Sequence, residues 1–361
     1  MNNRIEWIDA LKGFVLLLVV IGHTHLSSTL VGTCIAITTA FRMTTFFFLS
    51  GILFSTRKYN TFHSFYKMKK KTLLYPYIYL SLLFLLLDPK LYNISLAKFD
   101  IKIFEHINNS KEYFFMNLIN IFFRGVSSTV TGPLWFVFAL FIISLLFYHI
   151  HKIAKGNNLI ILLYAILSLS LGWICNIHSI ELPFKLATVF TASFFFSVGY
   201  LAKNHSNLLT TRGGEQTIIL TIIITFFPYM YFINQNGGIS LWNNGLGHSL
   251  FYFTLSTLTG IFLIINIFIL FGKSKNKLSL IIQGILRNIA RNALIILAVH
   301  YWAIRCCNIF LYEYKNTSWY SYLIFAIVIL TCILAIPLFR NKLYWLIGKE
   351  KISAKESLSI K

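Results

Sequence analysis

The sequence predicts an all-α, polytopic integral membrane protein with about ten transmembrane helices and both termini in the cytoplasm. Of its 361 residues, 57% are hydrophobic and only 12% are charged, and the mean hydropathy is +0.70. A soluble core does not need so much apolar sequence. Windows of about 20 apolar residues recur along the chain, and each is long enough to cross a bilayer as a helix. We therefore predict one transmembrane unit over residues 1–345 and a cytoplasmic basic tail over 346–361.

The apolar windows divide the chain into ten candidate spans. The first of them is interrupted by Asp9, Lys12 and His23, and no small-residue cleavage site follows it. We therefore expect it to remain as a membrane helix and not to be removed as a signal peptide. The ten windows lie near residues 9–27, 35–56, 73–88, 134–150, 159–176, 185–202, 216–233, 249–271, 292–311 and 320–339.

The charge distribution sets the orientation and the class of partner. The net charge is +21, but most of the 32 Lys and Arg residues fall in short connections on the side that holds the N-terminus. The positive-inside rule makes that side cytoplasmic. The 35 Phe, 19 Tyr and 7 Trp residues suit lipid contact and interfacial belts. We expect a lipid membrane as partner and no nucleic acid, and the five cysteines have no spacing typical of disulfides or metal sites.

Two apolar segments are too short, or too basic at their ends, to be spans. Residues 113–123 lie in the longest outer connection, and eleven residues cannot cross a bilayer. We expect an interfacial or re-entrant helix there that lines a site. Residues 278–290 are apolar and are followed by Arg291, which is typical of a helix that lies along the inner membrane surface.

The first span carries the most informative polar residues. Lys12 and His23 are eleven residues apart, almost three helical turns, so they project from one face and lie roughly 16 Å apart along the axis. Asp9 is one turn from Lys12 and can hold it. Polar groups inside a membrane are costly and indicate function. A neutral imidazole such as that of His23 can take a proton from a hydroxyl near neutral pH, whereas His25 points to another face and suits the outer interface.

Other polar residues converge on the same depth or on the cytoplasmic face. Arg42 cannot lose its charge, so we expect it to meet an anion, carbonyls or water in a polar cavity, with snorkelling outward as the alternative. His300 lies near mid-membrane in the ninth span and can share that cavity. At the cytoplasmic start of the third span, Lys69, Lys70 and Lys71 form a basic patch that can hold phosphates, although topology alone explains it equally well.

Five segments resemble a known family. They are Ile8-Asp9 with the spacing of Lys12 and His23, and residues 41–51, 69–76, 132–137 and 292–300. In order and content they are similar to the segments of the membrane acyltransferase-3 family, which includes bacterial polysaccharide and fucose O-acetyltransferases. Within the second and fourth of these segments, Ser50 and Trp135 are our candidate substrate-binding residues, although Trp135 also suits an interfacial belt.

The resemblance implies transfer of an acyl group, in our interpretation acetyl, from cytoplasmic acyl-CoA to a hydroxyl of an extracytoplasmic or lipid-linked glycan in a bacterial inner membrane. No metal is implied. The implied catalytic residues are His23, Arg42 and His300, with His23 as general base or as an acyl carrier. The implied acetyl-CoA site consists of Lys12, Asp9, Lys69, Lys70 and Lys71.

Two other functions remain open from the sequence alone. Ten spans with buried basic residues also suit a transporter or flippase of a lipid-linked sugar or small anion. The predicted spans contain few carboxylates, however, so a proton-coupled relay has few candidates. A non-catalytic scaffold would have no need of Lys12, His23 and Arg42. The acceptor hydroxyl, the acyl length and the oligomeric state, including a homo-oligomer, are not predicted.

Overall fold

The structure, a computed structural model, describes residues 6–24, 26, 30–59, 61–99, 107, 109–129, 131–204 and 214–350. Over these residues the chain is helical apart from turns, loops and one isolated bridge between Ser240 and Gly245, which confirms the all-α prediction. The α-helices of the described part are α1 Glu6–His23, α2 Leu30–Ile37, α3 Thr39–Ile52, α4 Phe62–Lys69, α5 Tyr75–Phe99, α6 Ser110–Ile119, α7 Trp135–Ala154, α8 Asn158–Ile177, α9 Leu186–Asn204, α10 Glu215–Asn236, α11 Leu250–Lys273, α12 Lys277–Arg291, α13 Ala293–Phe310 and α14 Tyr320–Asn341.

Eight helical segments of the described chain are long and apolar enough to cross a membrane. The first two predicted spans are not among them. Helix α1 carries Glu6, Asp9 and Lys12 within its 18 residues, and the second span is divided at Thr38 into the short helices α2 and α3. The count of about ten therefore remains a prediction. The eight segments are Phe62–Ser95, Gly132–Ala154, Asn158–Ile177, Pro183–Lys203, Glu215–Asn236, Leu250–Lys273, Ala293–Phe310 and Tyr320–Asn341.

Helix α1 tolerates its charged residues because it is enclosed by other helices. It packs against α3, α11, α12 and α13. A Cβ atom at Gly13 would lie 1.9 Å from the carbonyl oxygen of Leu286, so only glycine permits this approach of α12. At the start of the same contact, Arg287 forms a 2.6 Å ion pair with Glu6. The polar groups of α1 thus meet protein, which lowers the cost of placing them in a membrane.

Helices α3 and α9 are held together by a reciprocal pair of glycines. A Cβ atom at Gly51 would lie 1.9 Å from the carbonyl oxygen of Phe196, and one at Gly199 would lie 2.0 Å from that of Phe48. Small residues allow this close backbone approach, which favours association of helices in lipid. The contact fixes the position of α3, which carries Arg42 and Ser50.

The third span is longer than the predicted 73–88. Helix α4 continues without a break through a π-helical turn, Lys70–Leu74, into α5, so the membrane-length segment is Phe62–Ser95. Pro76 follows this wide turn and has no N–H to bond the carbonyl one turn back, which a π turn accommodates. Charged residues at the start of the segment had suggested a loop, and they belong instead to a helix.

Both predicted non-spanning helices are present. Residues 113–123 fall in α6 and a following π turn, Asn120–Arg124. One face of this segment buries Tyr113 and Asn117, whereas Phe115 and Phe123 are each 63% exposed. Residues 278–290 fall in α12, which likewise has large exposed apolar residues on one face. Such faces are typical of helices that lie at a membrane surface.

Candidate active site

A large polar cavity opens beside the last turn of α1, and we call it the His23 cavity. Its volume is about 1720 Å³, larger than most small-molecule pockets, which are roughly 300–1,000 Å³. Gly22 and His23 line it from α1, and Tyr301 and Arg305 line it from α13. Asn120, in the turn after α6, forms part of another wall, so this segment lines a site as predicted.

His23 lies against two aromatic residues of α13. Its ring centroid is 5.7 Å from that of His300 and 5.2 Å from that of Tyr301. His300 is fully buried, and its Nδ1 lies 2.6 Å from the carbonyl oxygen of Ile296. Nδ1 must carry a proton to donate that bond, so in the neutral ring Nε2 carries the lone pair, and Nε2 has no hydrogen-bond partner. The structure therefore brings His23 and His300 together and leaves a buried acceptor beside His23.

Arg42 turns towards α1 at the level of the His23 cavity. Its Nη1 donates a 3.1 Å hydrogen bond to the carbonyl oxygen of Leu18. A Cβ atom at Gly22 would lie 2.3 Å from the same Nη1. The guanidinium thus rests on the bare backbone immediately before His23, which agrees with a carbonyl partner and not with outward snorkelling.

A second, smaller cavity lies near the beginning of α1, and we call it the Lys12 cavity. Its volume is about 390 Å³, and it is lined by Lys12, Ser50, Lys58 and Lys69. Ser50 donates its hydroxyl hydrogen to the carbonyl oxygen of Phe46 at 2.7 Å. Three ammonium groups around one small cavity favour an anionic ligand such as a phosphate.

A layer of aromatic side chains lies between the two cavities. Helix α7 and the turn before it contribute Gly132 to the His23 cavity and Leu140 to the Lys12 cavity. Between them, Phe136 packs on Phe47 with ring centroids 4.9 Å apart, and Trp135, only 4% exposed, lies 6.5 Å from Phe47. Among the described residues, none lines both cavities. Trp135 therefore belongs to this layer and not to an outer interfacial belt.

Comparison with known proteins identifies the family. A family model described as the acyltransferase domain matches residues 5–337, which is most of the chain. The chain belongs to the acyltransferase-3 family. No curated protein and no solved structure gives a significant match.

Two of the predicted donor-site lysines of the acyltransferase, Lys70 and Lys71, do not line the Lys12 cavity. Lys70 places its Nζ over the rings of Tyr75 and Tyr66, at 5.3 and 5.8 Å. Lys71 forms an exposed 2.7 Å ion pair with Glu350, which lowers the pKa of that carboxyl below its ordinary value. Only Lys69 of the three lysines lines the cavity, because consecutive residues of a helix point about 100° apart around its axis.

The remaining predicted residues are placed as follows. Asp9 is 8% exposed and lines neither cavity of the acyltransferase. His25 lies outside the described residues, as does the greater part of the predicted tail. Gly22, which was not predicted as a site residue, is where the Arg42 guanidinium approaches the helix beside the His23 cavity, although Arg42 itself does not line that cavity.

A buried ion pair in the wall of the His23 cavity was also missed. Asp88 of α5 is fully buried, and its Oδ1 accepts a 2.6 Å bond from Nε of Arg305. The hydroxyl of Tyr113 donates a short hydrogen bond to Oδ2. Neither charged residue was predicted to take part in the site. Two opposite charges at matching ends of long apolar segments were the available signal.

Replacing Gly22 with Ala tests the position of Arg42 in the acyltransferase. The added methyl group must displace the guanidinium, because the new carbon would lie 2.3 Å from Nη1. We expect kcat for acyl transfer to fall about 100-fold, since a misplacement of about 1 Å at a reacting centre can cost that much. The matched control is Gly284→Ala, where an added carbon meets no atom within 4 Å. Equal rates in both variants would exclude a role for Arg42 at the site.

Proposed function

We propose that the protein is a multi-pass O-acetyltransferase of a bacterial inner membrane. It takes an acetyl group from cytoplasmic acetyl-CoA and transfers it to a hydroxyl of an extracytoplasmic or lipid-linked glycan, as part of polysaccharide modification. Both termini lie in the cytoplasm in this proposal. Membership of the acyltransferase-3 family supports the reaction class, and the donor, acceptor and orientation are the proposed steps.

The observation that carries the proposal is the pairing of two different cavities along one helix. Lys12 of α1 lines a small basic cavity, and His23 of the same helix lines a large polar one. Eleven residues of helix separate them by roughly 16 Å. A phosphate-bearing donor and a hydroxyl-bearing acceptor need such different environments at opposite ends of one reaction path.

In this proposal, residues at and around His23 carry out both proton transfers of the reaction and stabilise its intermediate. The imidazole of His23 takes the proton of the acceptor hydroxyl while that oxygen attacks the thioester carbonyl carbon. Arg42 stabilises the negative charge on the carbonyl oxygen in the tetrahedral intermediate. The C–S bond then breaks, and His23 returns the proton to the departing thiolate. In this proposal Nε2 of His300, which has no partner in the structure and whose ring lies 5.7 Å from that of His23, accepts a hydrogen bond from the imidazolium form of His23.

The alternative chemistry is an acyl-histidine intermediate. In that route the imidazole nitrogen of His23 attacks the thioester first, and the acceptor hydroxyl displaces it in a second step. In this route the donor and the acceptor occupy the surroundings of His23 one after the other. Acid-quenched protein labelled with acetyl-CoA in the absence of acceptor distinguishes the two routes.

Labelled acetyl-CoA tests the function directly. The full chain is placed in vesicles with an acceptor polysaccharide on the opposite side from the donor, and label on the glycan is measured. Transfer to the glycan is the expected result. A transporter of lipid-linked sugars or small anions, which two cavities closed off by an aromatic layer also suit, would instead move a labelled substrate across the vesicle without acetylating it.

The donor site is tested with lysine variants. We expect Lys12→Ala and Lys69→Ala each to raise KM for acetyl-CoA about ten-fold or more, because hydrogen bonds to charged groups are worth about 1.5–3 kcal/mol. KM for the glycan should not change. Lys67→Ala is the control, since Lys67 is an exposed residue two positions before Lys69 that does not line the cavity. An unchanged acetyl-CoA KM in both variants would remove the Lys12 cavity from donor binding.

A further inference from the structure

A short loop between α10 and α11 forms one wall of the His23 cavity. Backbone hydrogen bonds of 2.8 and 2.9 Å join Ser240 and Gly245, and the 3-10 turn Leu241–Asn243 lies between them. Trp242 lines the cavity from this turn. The family assignment and the proposed chemistry give this loop no role.

The loop is held rigidly by buried polar residues of two spans. Asn244 accepts a 2.7 Å bond at Oδ1 from the Thr191 hydroxyl, and its Nδ2 donates a 2.8 Å bond to the carbonyl oxygen of Gly172. Asn176 donates a 2.9 Å bond to the backbone oxygen of Asn244. Asn244 has a φ of +55°, a conformation that asparagine tolerates better than most residues. These bonds fix the loop relative to α8 and α9.

Two further hydrogen bonds hold the loop, one at the backbone of Leu241 and one at the backbone of Trp242. The Thr188 hydroxyl donates to the carbonyl oxygen of Leu241 at 3.2 Å, and Nζ of Lys185 donates to that of Trp242 at 2.6 Å. The same Nζ lies 3.6 Å from the centroid of the Trp242 ring. The indole is therefore oriented, with one of its faces covered by an ammonium group.

Despite this rigid framework, the indole itself is largely exposed. Trp242 is 44% exposed, whereas its neighbours Leu241 and Asn244 are 6% and 4% exposed. An indole that is so exposed contributes little to packing, so holding it in place does not stabilise the fold. An interfacial belt residue would face lipid, but Trp242 lines the same cavity as His23.

We propose that Trp242 is the stacking platform for a pyranose ring of the acceptor glycan. The C–H groups of a sugar ring carry partial positive charge and form an apolar face, which suits the negative face of an indole. The uncovered face of Trp242 receives the ring. This inference rests on the proposed function, and it assigns the residue that holds a sugar ring of the acceptor.

Asn243 completes the platform beside the indole. It is exposed and lines the cavity, and its Oδ1 accepts a 3.2 Å bond from the backbone N–H of Gly245. Because its oxygen accepts that bond, its amide NH₂ group is the part that can donate to a sugar hydroxyl. An apolar ring face with one adjacent hydrogen-bond donor suits a saccharide, which can use both parts, whereas an alkyl chain would use only the ring face and glycerol mainly the donor.

Kinetics of the full chain with acceptor polysaccharide and acetyl-CoA test this platform. We expect Trp242→Ala to raise the glycan KM about ten-fold or more, as truncation of a buried tryptophan contact does, with kcat and the acetyl-CoA KM unchanged. Trp242→Phe should recover most of the affinity. Trp319→Ala is the matched control, because Trp319 is 46% exposed but does not line the cavity.

Direct binding separates failure of this proposal from failure of the proposed function. The detergent-solubilised chain is titrated with hexose and N-acetylhexosamine tetrasaccharides without acetyl-CoA, and binding is followed by saturation-transfer NMR. Binding by the native chain and by Trp319→Ala, weakened in Trp242→Ala, supports the platform even if no acetyl transfer occurs. Binding of none of these sugars, or equal binding by all variants, overturns it even if transfer from acetyl-CoA is active.

Discussion

Replacing His23 with Gln lowers kcat for acetyl transfer about 10²- to 10⁴-fold, the usual contribution of a general base. Glutamine retains hydrogen-bonding groups at the same place but cannot take up the acceptor proton. Because Lys12 lies at the other end of α1 and in a different cavity, the KM for acetyl-CoA should stay the same. Initial rates at saturating glycan, with acetyl-CoA varied, give both quantities.

The control for this variant is His149→Gln. His149 lies on α7, is exposed and packs on Phe62, and it lines neither cavity. Its replacement should leave the transfer rate unchanged. If His23→Gln transfers acetyl groups as fast as native protein, the proton goes to another residue, and the assignment of His23 as base is wrong. If the native chain alone shows no transfer, the donor or acceptor class is wrong instead.

The sequence predicted the all-α membrane class because hydropathy reports which segments can contact lipid. The two non-spanning helices α6 and α12 were found for the same reason, since their apolar runs are short or end in basic residues. The proximity of His23 and Arg42 was also within reach. Both are polar residues at similar depths of spans that follow each other in the chain, and such spans commonly pack together.

What the sequence could not give is the direction in which each side chain points. A helix that is apolar all round carries no periodic signal for its inward face. Trp135 was therefore predicted to bind substrate, with an interfacial belt as the alternative, whereas it lies in the aromatic layer beside Phe47 and lines neither cavity. Likewise, Lys69 lines the Lys12 cavity whereas Lys70 and Lys71 do not, because consecutive helical residues point in different directions. Asp88 and Arg305 are 217 residues apart, so only the packing of α5 against α13 brings them together.

Replacing Asp88 with Ala destabilises the folded protein by about 3–5 kcal/mol, the cost of breaking a buried ion pair by removing one partner. Asp88 is fully buried and Arg305 is 14% exposed. Without the carboxylate, the guanidinium keeps its charge in a wall of the His23 cavity, where Nη2 already has no hydrogen-bond partner. The measurement is the denaturant midpoint in detergent, read together with the yield of monodisperse protein.

The chain contains its own control for this prediction, an ion pair of almost the same length at the surface. Lys71 and Glu350 are 2.7 Å apart, against 2.6 Å for Arg305 and Asp88, but their side chains are 51% and 85% exposed. Solvent screens the exposed pair, so Glu350→Ala should leave the midpoint unchanged. Replacing both Asp88 and Arg305 with Leu should recover most of the stability lost in Asp88→Ala, because no uncompensated charge remains. A double variant as unstable as Asp88→Ala would mean that hydrogen bonds to Tyr113, and not charge compensation, hold this wall of the cavity.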